Sequence, residues 1–80
     1  MKEMVELVEY IARSIVTVPD EVKVTQETDE DENMVIVKLE VAVDDKGRVI
    51  GKQGRVAEAM RTLLRVVATK GGVRVRLEIV

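Results

Sequence analysis

The sequence contains no cysteine and no histidine, and its aromatic content is a single tyrosine, Tyr10. The missing thiols and imidazoles exclude disulfides, thiolate or imidazole metal sites, cysteine nucleophiles and histidine-based triads. A platform on which nucleic-acid bases stack needs two or three aromatic side chains, so that class of single-strand reader is excluded as well. The chain also lacks an apolar run of about 20 residues, which a membrane span requires.

The length bounds the organisation of the chain. Eighty residues have room for one core, so we expect residues 1–80 to form a single domain. Met1-Lys2-Glu3 opens directly into an amphipathic pattern, without the apolar region of a secretory signal. Together with the lack of cysteine, this favours a cytoplasmic location and no membrane partner.

The net charge of −2 conceals an uneven distribution. Residues 1–45 hold 4 Lys/Arg and 13 Asp/Glu, whereas residues 46–80 hold 9 Lys/Arg and 2 Asp/Glu. A local positive field can attract an anionic partner even when the whole chain is acidic. The pattern also fits two solvated faces of opposite sign.

The hydrophobic pattern predicts six main elements. We expect helices over residues 2–17, 46–50 and 55–69, and strands over residues 21–27, 34–43 and 73–80. Pro19 ends the first helix, Gly71-Gly72 ends the last one, and an acidic turn at residues 28–33 joins the first two strands.

The order α-β-β-α-α-β predicts an α+β fold with a three-stranded mixed sheet. A tight turn makes the first two strands antiparallel, and the two-helix crossover makes the second and third parallel. All three helices then cover one sheet face, and the other face meets solvent or a partner.

Finer predictions concern side-chain directions. In the last helix we expect the inner stripe to be Val56, Met60, Leu63 and Val67, supported by Ala57 and Leu64. In the second strand we expect Val35, Val37, Leu39, Val41 and Val43 to point one way, into the core. Asp44 or Asp45 is expected to cap the short helix that follows.

The motif with most chemical content is Gly51-Lys52-Gln53-Gly54, between two helical segments. Glycine tolerates positive φ and lets backbone approach a ligand, and the following helix begins at the second glycine with free N–H groups that favour an anion. Lys52 and Arg55 add positive charge. Two glycines at this spacing also occur by chance, and a tight turn that needs glycine for its backbone alone is the alternative.

The segment Val49-Ile50-Gly51-Lys52-Gln53-Gly54-Arg55-Val56 resembles the signature of the KH domain. The element order is similar to the type II version, and the whole chain resembles the small bacterial single-KH RNA-binding proteins of the KhpA family. The resemblance includes the Val8-Glu9-Tyr10-Ile11-Ala12 and Pro19-Asp20-Glu21-Val22 stretches. It implies a type II KH fold and binding of single-stranded RNA.

The resemblance also implies roles for the loop and its neighbours. Gly51 and Gly54 would let the RNA backbone approach, as the KH loop clamps about four nucleotides. Lys52 and Gln53 would face phosphate and sugar, and Arg55 is a phosphate candidate. Ile50, with Val49 and Val56, would form part of an apolar groove for bases. The RNA-binding set is thus Val49, Ile50, Gly51, Lys52, Gln53, Gly54, Arg55 and Val56.

Several alternatives stay open. The acidic turn could border the groove and limit RNA affinity, or it could point away. An adaptor role, in which the chain pairs with itself or with a second KH-domain protein, is compatible with RNA binding, and the last helix is one candidate surface through whichever of Met60, Leu64 and Val67 the core leaves free. We expect no catalysis, because paired carboxylates beside an apolar pocket are lacking, and no metal or other cofactor. An RNA chaperone or post-transcriptional regulator fits this reading.

Overall fold

A computed structural model of the protein describes residues 2–80. It contains helices α1 (Lys2–Ile15), α2 (Lys46–Ile50) and α3 (Arg55–Lys70), and strands β1 (Lys23–Asp29), β2 (Met34–Glu40) and β3 (Arg74–Ile79). Turns of 3-10 helix lie at Pro19–Glu21, Val43–Asp45 and Lys52–Gly54. The predicted order α-β-β-α-α-β is confirmed. Across residues 2–80, no helix is both long and apolar enough to cross a membrane.

The three strands form one mixed sheet in the order β1-β2-β3. β1 and β2 are antiparallel, with Lys23 opposite Glu40 and Asp29 opposite Met34. β2 and β3 are parallel, with Met34 opposite Arg74. This matches the prediction, because a short turn can reverse a strand whereas the crossover through α2 and α3 restores its direction.

The core lies between the helices and one face of the sheet. Its fully buried side chains include Met4 and Val8 from α1, Val37 and Leu39 from β2, and Leu64 from α3. Hydrophobic residues at alternate positions of β2 are buried, as period-2 patterning requires. The opposite sheet face is polar and carries the ion pairs Lys38–Glu27 at 3.1 Å and Arg76–Glu78 at 3.2 Å.

The predicted inner stripe of α3 is wrong at Leu63, which is 46% exposed. The residues that α3 buries are Ala57, Met60, Leu64 and Ala68, while Val56 and Val67 are half-buried. The helix is thus rotated so that two alanines flank the larger side chains on its sheet-facing side. Small side chains allow a helix to approach a sheet closely, and spacing alone does not distinguish this stripe from the predicted one.

The predicted strand over residues 34–43 ends early, at Glu40. Val41 is still buried, but Val43 is 79% exposed and begins a 3-10 turn in which the Asp45 N–H donates to the Ala42 carbonyl over 2.8 Å. This turn carries the chain out of the sheet and toward α2. Val43 therefore does not belong to the core.

Candidate nucleic-acid interface

The loop Gly51–Gly54 connects α2 to α3 through a compact turn with unusual backbone angles. Gly51 has φ 81° and ψ 170°, Gln53 has φ 57°, and Gly54 has φ 74°. The Gly54 N–H donates to the Gly51 carbonyl over 3.1 Å. Three of four consecutive residues thus lie at positive φ, a conformation that costs free energy for any residue with a Cβ. Gln53 adopts a positive φ although it carries a Cβ.

Gly51 is also required by space. A Cβ added there would collide with the Val56 Cγ2 and would lie 2.7 Å from the Val56 backbone nitrogen. An added Cβ at Gly54 would meet open space among the described residues. Gly51 therefore lets the loop fold back onto the first turn of α3, whereas at Gly54 only the backbone angle favours glycine.

The loop presents polar side chains at the surface. Lys52, Gln53 and Arg55 are exposed, and the Arg55 Nη2 donates to the Gln53 Oε1 over 3.3 Å. Within residues 2–80, no side chain caps the first turn of α3. The N–H groups of that turn and the positive end of a 16-residue helix therefore lie beside two cationic side chains, an arrangement that favours an anion.

The apolar members of the predicted set are placed at different depths. Ile50 is 42% exposed and Val56 is half-buried, so both can present apolar surface next to the loop. Val49 is fully buried in the core. Its side chain belongs to the hydrophobic core and has no surface to offer a groove, which corrects its expected place among the accessible residues.

Asp45 is a residue whose importance sequence reasoning missed. It does not cap α2 with its side chain, contrary to expectation, and is fully buried. Its Oδ1 accepts from the Thr17 N–H over 3.0 Å and from the Thr17 hydroxyl over 2.8 Å, and its Oδ2 accepts from the Val18 N–H over 3.1 Å. The donors are 27 and 28 residues away, so neighbouring sequence carries no signal of this contact.

These contacts tie α2 to the segment that follows α1. The hydrogen bond from the Thr17 N–H is the main cause that holds the pKa of Asp45 below its ordinary value, and burial opposes it. The hydroxyl of Thr17, the N–H of Val18 and the charge of Arg48 lower the pKa further. Arg48 lies on α2, 3.6 Å from the Asp45 Oδ1. An ionised Asp45 thus fixes the helix that leads into the loop.

The acidic turn lies at the far end of the molecule from the loop. The Asn33 Nδ2 donates to the Gly72 carbonyl over 2.8 Å, and the Arg74 Nη2 donates to the Glu32 carbonyl over 2.9 Å. The turn is therefore held against the C-terminal end of α3. The loop precedes the N-terminal end of this 16-residue helix, about 24 Å away at 1.5 Å per residue. The turn does not border the loop.

The next question is whether the described residues could hold a metal ion or carry out catalysis. Residues 2–80 contain no group of three or more carboxylates that could hold a metal ion. The loop and its flanks carry amides, cations and aliphatic groups, which are groups that bind and position a ligand.

Comparison with known proteins identifies relatives along nearly the whole chain. The family model described as KhpA/KhpB, KH domain matches residues 5–79. The RNA-binding protein KhpA of Clostridium acetobutylicum is 48% identical over 77 residues, which cover 96% of this chain and all of that protein. The KhpA proteins of Halalkalibacterium halodurans and Treponema pallidum are 46% and 48% identical over 96% and 94% of this chain and 99% and 91% of their own lengths.

Solved structures agree on the fold. A crystal structure of Aquifex aeolicus Era matches with a TM-score of 0.60 and 24% identity, covering 95% of this chain and 29% of Era. Era in complex with MgGDPNP and nucleotides 1506–1542 of 16S ribosomal RNA matches equally well. At this identity the likeness concerns the fold, which is the α+β arrangement predicted from the sequence.

These findings confirm the resemblance drawn from the loop signature and the element order. They also agree with the expectation that the chain is not an enzyme, because the relatives are named as RNA-binding proteins. A family match over 75 consecutive residues and relatives of nearly the same length support one conclusion. The chain belongs to the KhpA/KhpB KH-domain family.

Proposed function

We propose that this protein binds single-stranded RNA and grips the RNA backbone with the loop Gly51–Gly54. The observation that carries the proposal is the loop conformation. Gly51, Gln53 and Gly54 lie at positive φ just before α3, whose first turn receives no side-chain cap from residues 2–80. Strain of this kind is kept where function uses it, and the relatives are named for RNA binding.

Each accessible residue of the set has a role in this proposal. Lys52 and Arg55 contact phosphates, and Gln53 bonds phosphate or sugar. The glycines allow close approach of the RNA, and the N–H groups of the first α3 turn face the same phosphates. Ile50 and Val56 offer aliphatic surface to the bases, while Val49 supports them from the core. The amphipathic surface suits about four nucleotides.

We further propose a cytoplasmic protein that acts as an RNA chaperone or post-transcriptional regulator. A single short groove makes few phosphate contacts, so its affinity alone resembles non-specific binding, about 10⁻⁴–10⁻⁶ M at physiological salt. Binding of that strength suits transient contact with many RNAs.

The test is the double variant Lys52→Asp, Gln53→Asp, which reverses the charge of the loop and leaves both glycines in place. Because both side chains are exposed, the thermal melt should shift little. Binding of a short labelled RNA, followed by fluorescence anisotropy at low and moderate salt, should weaken at least tenfold, since phosphates would meet carboxylates.

A matched control is Lys70→Asp, Thr69→Asp, which makes the same charge change at exposed positions at the other end of α3 from the loop. This control should bind RNA nearly as well as wild type. The proposal fails if the loop variant binds as wild type does, or if wild-type binding does not respond to salt.

An adaptor role is the second candidate, and exposed aliphatic side chains favour it. Leu63 and Val66 on α3 are 46% and 54% exposed. Met60 and Leu64, which sequence reasoning offered as contact residues, are buried in the core and unavailable. We propose that α3 pairs with a second copy or with another KH-domain protein through Leu63 and Val66. Two joined loops on one RNA would bind by avidity, so both roles can operate together.

A further inference from the structure

The outer edge of β1 has no pairing strand among residues 2–80. β1 pairs with β2 on one side, and the sheet order β1-β2-β3 places its other side at the end of the sheet. All residues from Lys23 to Asp29 pair with β2 in one continuous register without a bulge. β1 also contains no proline. The edge is therefore regular along its length and lacks the bulges and prolines that commonly block strand addition.

The hydrogen bonds of the sheet decide which backbone groups this edge presents. The Leu39 carbonyl of β2 accepts from the Val80 N–H, on the β3 side of the strand. Because successive residues of a strand bond to opposite sides, the neighbouring Lys38 directs its N–H and C=O toward β1. Lys38 lies opposite Thr25, so these two residues form a hydrogen-bonded pair. Alternation along β1 then leaves three residues whose N–H and C=O groups point outward: Val24, Gln26 and Thr28.

A crevice lies beside this edge, where β1 meets α1. Its volume is about 360 Å³, and it is lined by Lys2, Val5, Glu6 and Gln26. Val5 is half-buried and supplies an aliphatic wall, whereas Glu6 is exposed and supplies a carboxylate. The Gln26 Oε1 is buried and accepts no hydrogen bond from any described residue. A buried acceptor without a donor costs free energy, so a ligand that brings an N–H group would relieve that cost.

The surroundings of the edge are strongly acidic. Residues 2–32, which form α1, β1 and the turns next to them, contain ten Asp/Glu and three Lys/Arg, a net charge of −7. Carboxylates lie near both ends of the strand, with Asp20 and Glu21 before it and residues 29–32 after it. This field attracts a cationic partner and repels RNA. Two copies of the same acidic edge would also repel each other, which argues against self-pairing here.

A regular strand edge, a crevice with an unsatisfied acceptor and an acidic field fit one kind of partner. We propose that the outer edge of β1 and the crevice beside it bind an extended basic segment of another protein, which adds a strand to the sheet. Its backbone bonds to the outward groups of β1, and every second side chain enters the crevice. There the methylene stem of a lysine or arginine lies against Val5, and the charged head donates to Glu6 or to the Gln26 Oε1.

This surface is separate from the loop between α2 and α3. β1 and β3 lie on opposite sides of β2, and α3, which follows the loop, contacts β3. The proposal therefore does not depend on RNA binding. A basic segment on β1 and an RNA on the loop can be bound at the same time.

The first test uses two labelled peptides of about eight residues, one of alternating lysine and valine and one of alternating glutamate and valine. Both can form a strand, and they differ in charge. Fluorescence anisotropy with the full chain should show that the lysine peptide binds about tenfold more tightly than the glutamate peptide. Glu6→Gln should weaken binding of the lysine peptide several-fold. The matched control Glu58→Gln, which removes an exposed carboxylate from α3, should leave that binding nearly unchanged.

Amide hydrogen exchange, followed by NMR, distinguishes strand addition from attraction by charge alone. In the free protein, the N–H groups of Val24, Gln26 and Thr28 should exchange faster than those of Thr25 and Glu27, which bond to β2. A saturating amount of the lysine peptide should slow exchange of the three outward groups about tenfold, because they then donate to the peptide. Exchange of the Thr25 and Glu27 groups should change little.

Two substitutions at Gln26 separate the backbone from the side chain. Gln26→Pro removes the central outward N–H, at a position where an edge strand tolerates proline, and should weaken binding of the lysine peptide about tenfold. Gln26→Leu keeps that N–H and removes the unsatisfied oxygen, so it should raise the Tm and weaken binding less than the proline does. Thermal melts check the fold of both variants. If the proline variant does not fold, the exchange measurement on wild type decides.

Four results overturn the inference. Equal affinity for the two peptides shows that the acidic field selects no basic segment. Binding of the lysine peptide without slower exchange at the three outward N–H groups shows attraction by charge alone. Slow exchange of these groups in the concentrated free protein, together with a doubled mass by light scattering, shows that a second copy occupies the edge. Slower exchange of the same groups on addition of RNA assigns the edge to RNA.

Discussion

Two glycines bound the loop between α2 and α3, and their backbone conformations differ. Gly51 lies in a φ/ψ region that is essentially restricted to glycine, and its missing Cβ makes room for Val56. Gly54 lies in the left-handed helical region with open space around it among the described residues. We expect Gly54→Ala to cost about 1 kcal/mol and Gly51→Ala about 2–4 kcal/mol, because only the second adds a collision.

Thermal unfolding measures this difference. About 1 kcal/mol shifts the Tm of a domain of this size by about 4–8 °C, so the two alanine variants should be well separated. Equal melting temperatures would show that the loop adjusts around Gly51, in which case the contact with Val56 does not define its shape. The motif was evident from the sequence, but the distinct role of each glycine depends on a contact that only the fold provides.

Asp45 makes stability depend on pH. Because its pKa is lower in the folded protein than in the unfolded chain, its ionised form stabilises the fold. That contribution is fully present above the ordinary aspartate pKa of about 3.9 and is lost as pH falls through the lower folded-state value. We expect Asp45→Asn to lower the Tm by several degrees at pH 7 and by less as the pH falls below about 4.

The neighbouring Asp44 supplies the control for this prediction. Its side chain is exposed, so Asp44→Asn should leave the Tm and its pH dependence nearly unchanged. A deficit in the Asp45→Asn variant that is the same at every pH would mean that the variant loses packing or geometry instead of charge stabilisation. Sequence reasoning gave both aspartates the same capping role, and the structure distinguishes them by burial.

At the scale of elements, the sequence predicted each helix and strand, but not where every element ends or which way it faces. Pro19 and Gly71-Gly72 are local signals, and they placed the ends of α1 and α3 within two residues. β2 ends at Glu40, and the chain then turns to bury Asp45, whose hydrogen-bond partners are Thr17 and Val18. The prediction that Leu63 faces the core was wrong, because the spacing of large aliphatic side chains along a helix does not show that Ala57 and Ala68 occupy the buried face.

At the scale of the whole molecule, the charge asymmetry of the sequence acquires a spatial meaning. The acidic turn is held beside the C-terminal end of α3 by Asn33 and Arg74, and the basic loop is at the other end. Composition revealed the imbalance, but only the parallel pairing of β2 with β3 fixes which ends meet. Because of this separation, the acidic turn does not repel an anion at the loop. The resulting field also orients the basic end of the molecule toward an anionic partner.

The exposed Leu63 and Val66 side chains on α3 predict that whole molecules pair through this helix. When a partner removes exposed aliphatic side chains from water, the free energy falls by about 25 cal/mol per Å² of buried apolar area. We expect wild type to show a concentration-dependent increase in mass by light scattering, and Leu63→Glu, Val66→Glu to remain monomeric. Thr62→Glu, Thr69→Glu is the matched control, because it adds the same charge to exposed positions of the same helix.

The same pair of variants connects pairing to RNA binding. If two loops act together, the monomeric variant should bind a long RNA several-fold more weakly than the control and a four-nucleotide RNA equally well, since avidity needs both loops on one strand. A wild type that stays monomeric at high concentration would leave α3 without a self-contact and direct the search to a second KH-domain protein. A monomeric variant with full affinity for long RNA would separate the two roles, because one loop and its neighbouring surface would then suffice.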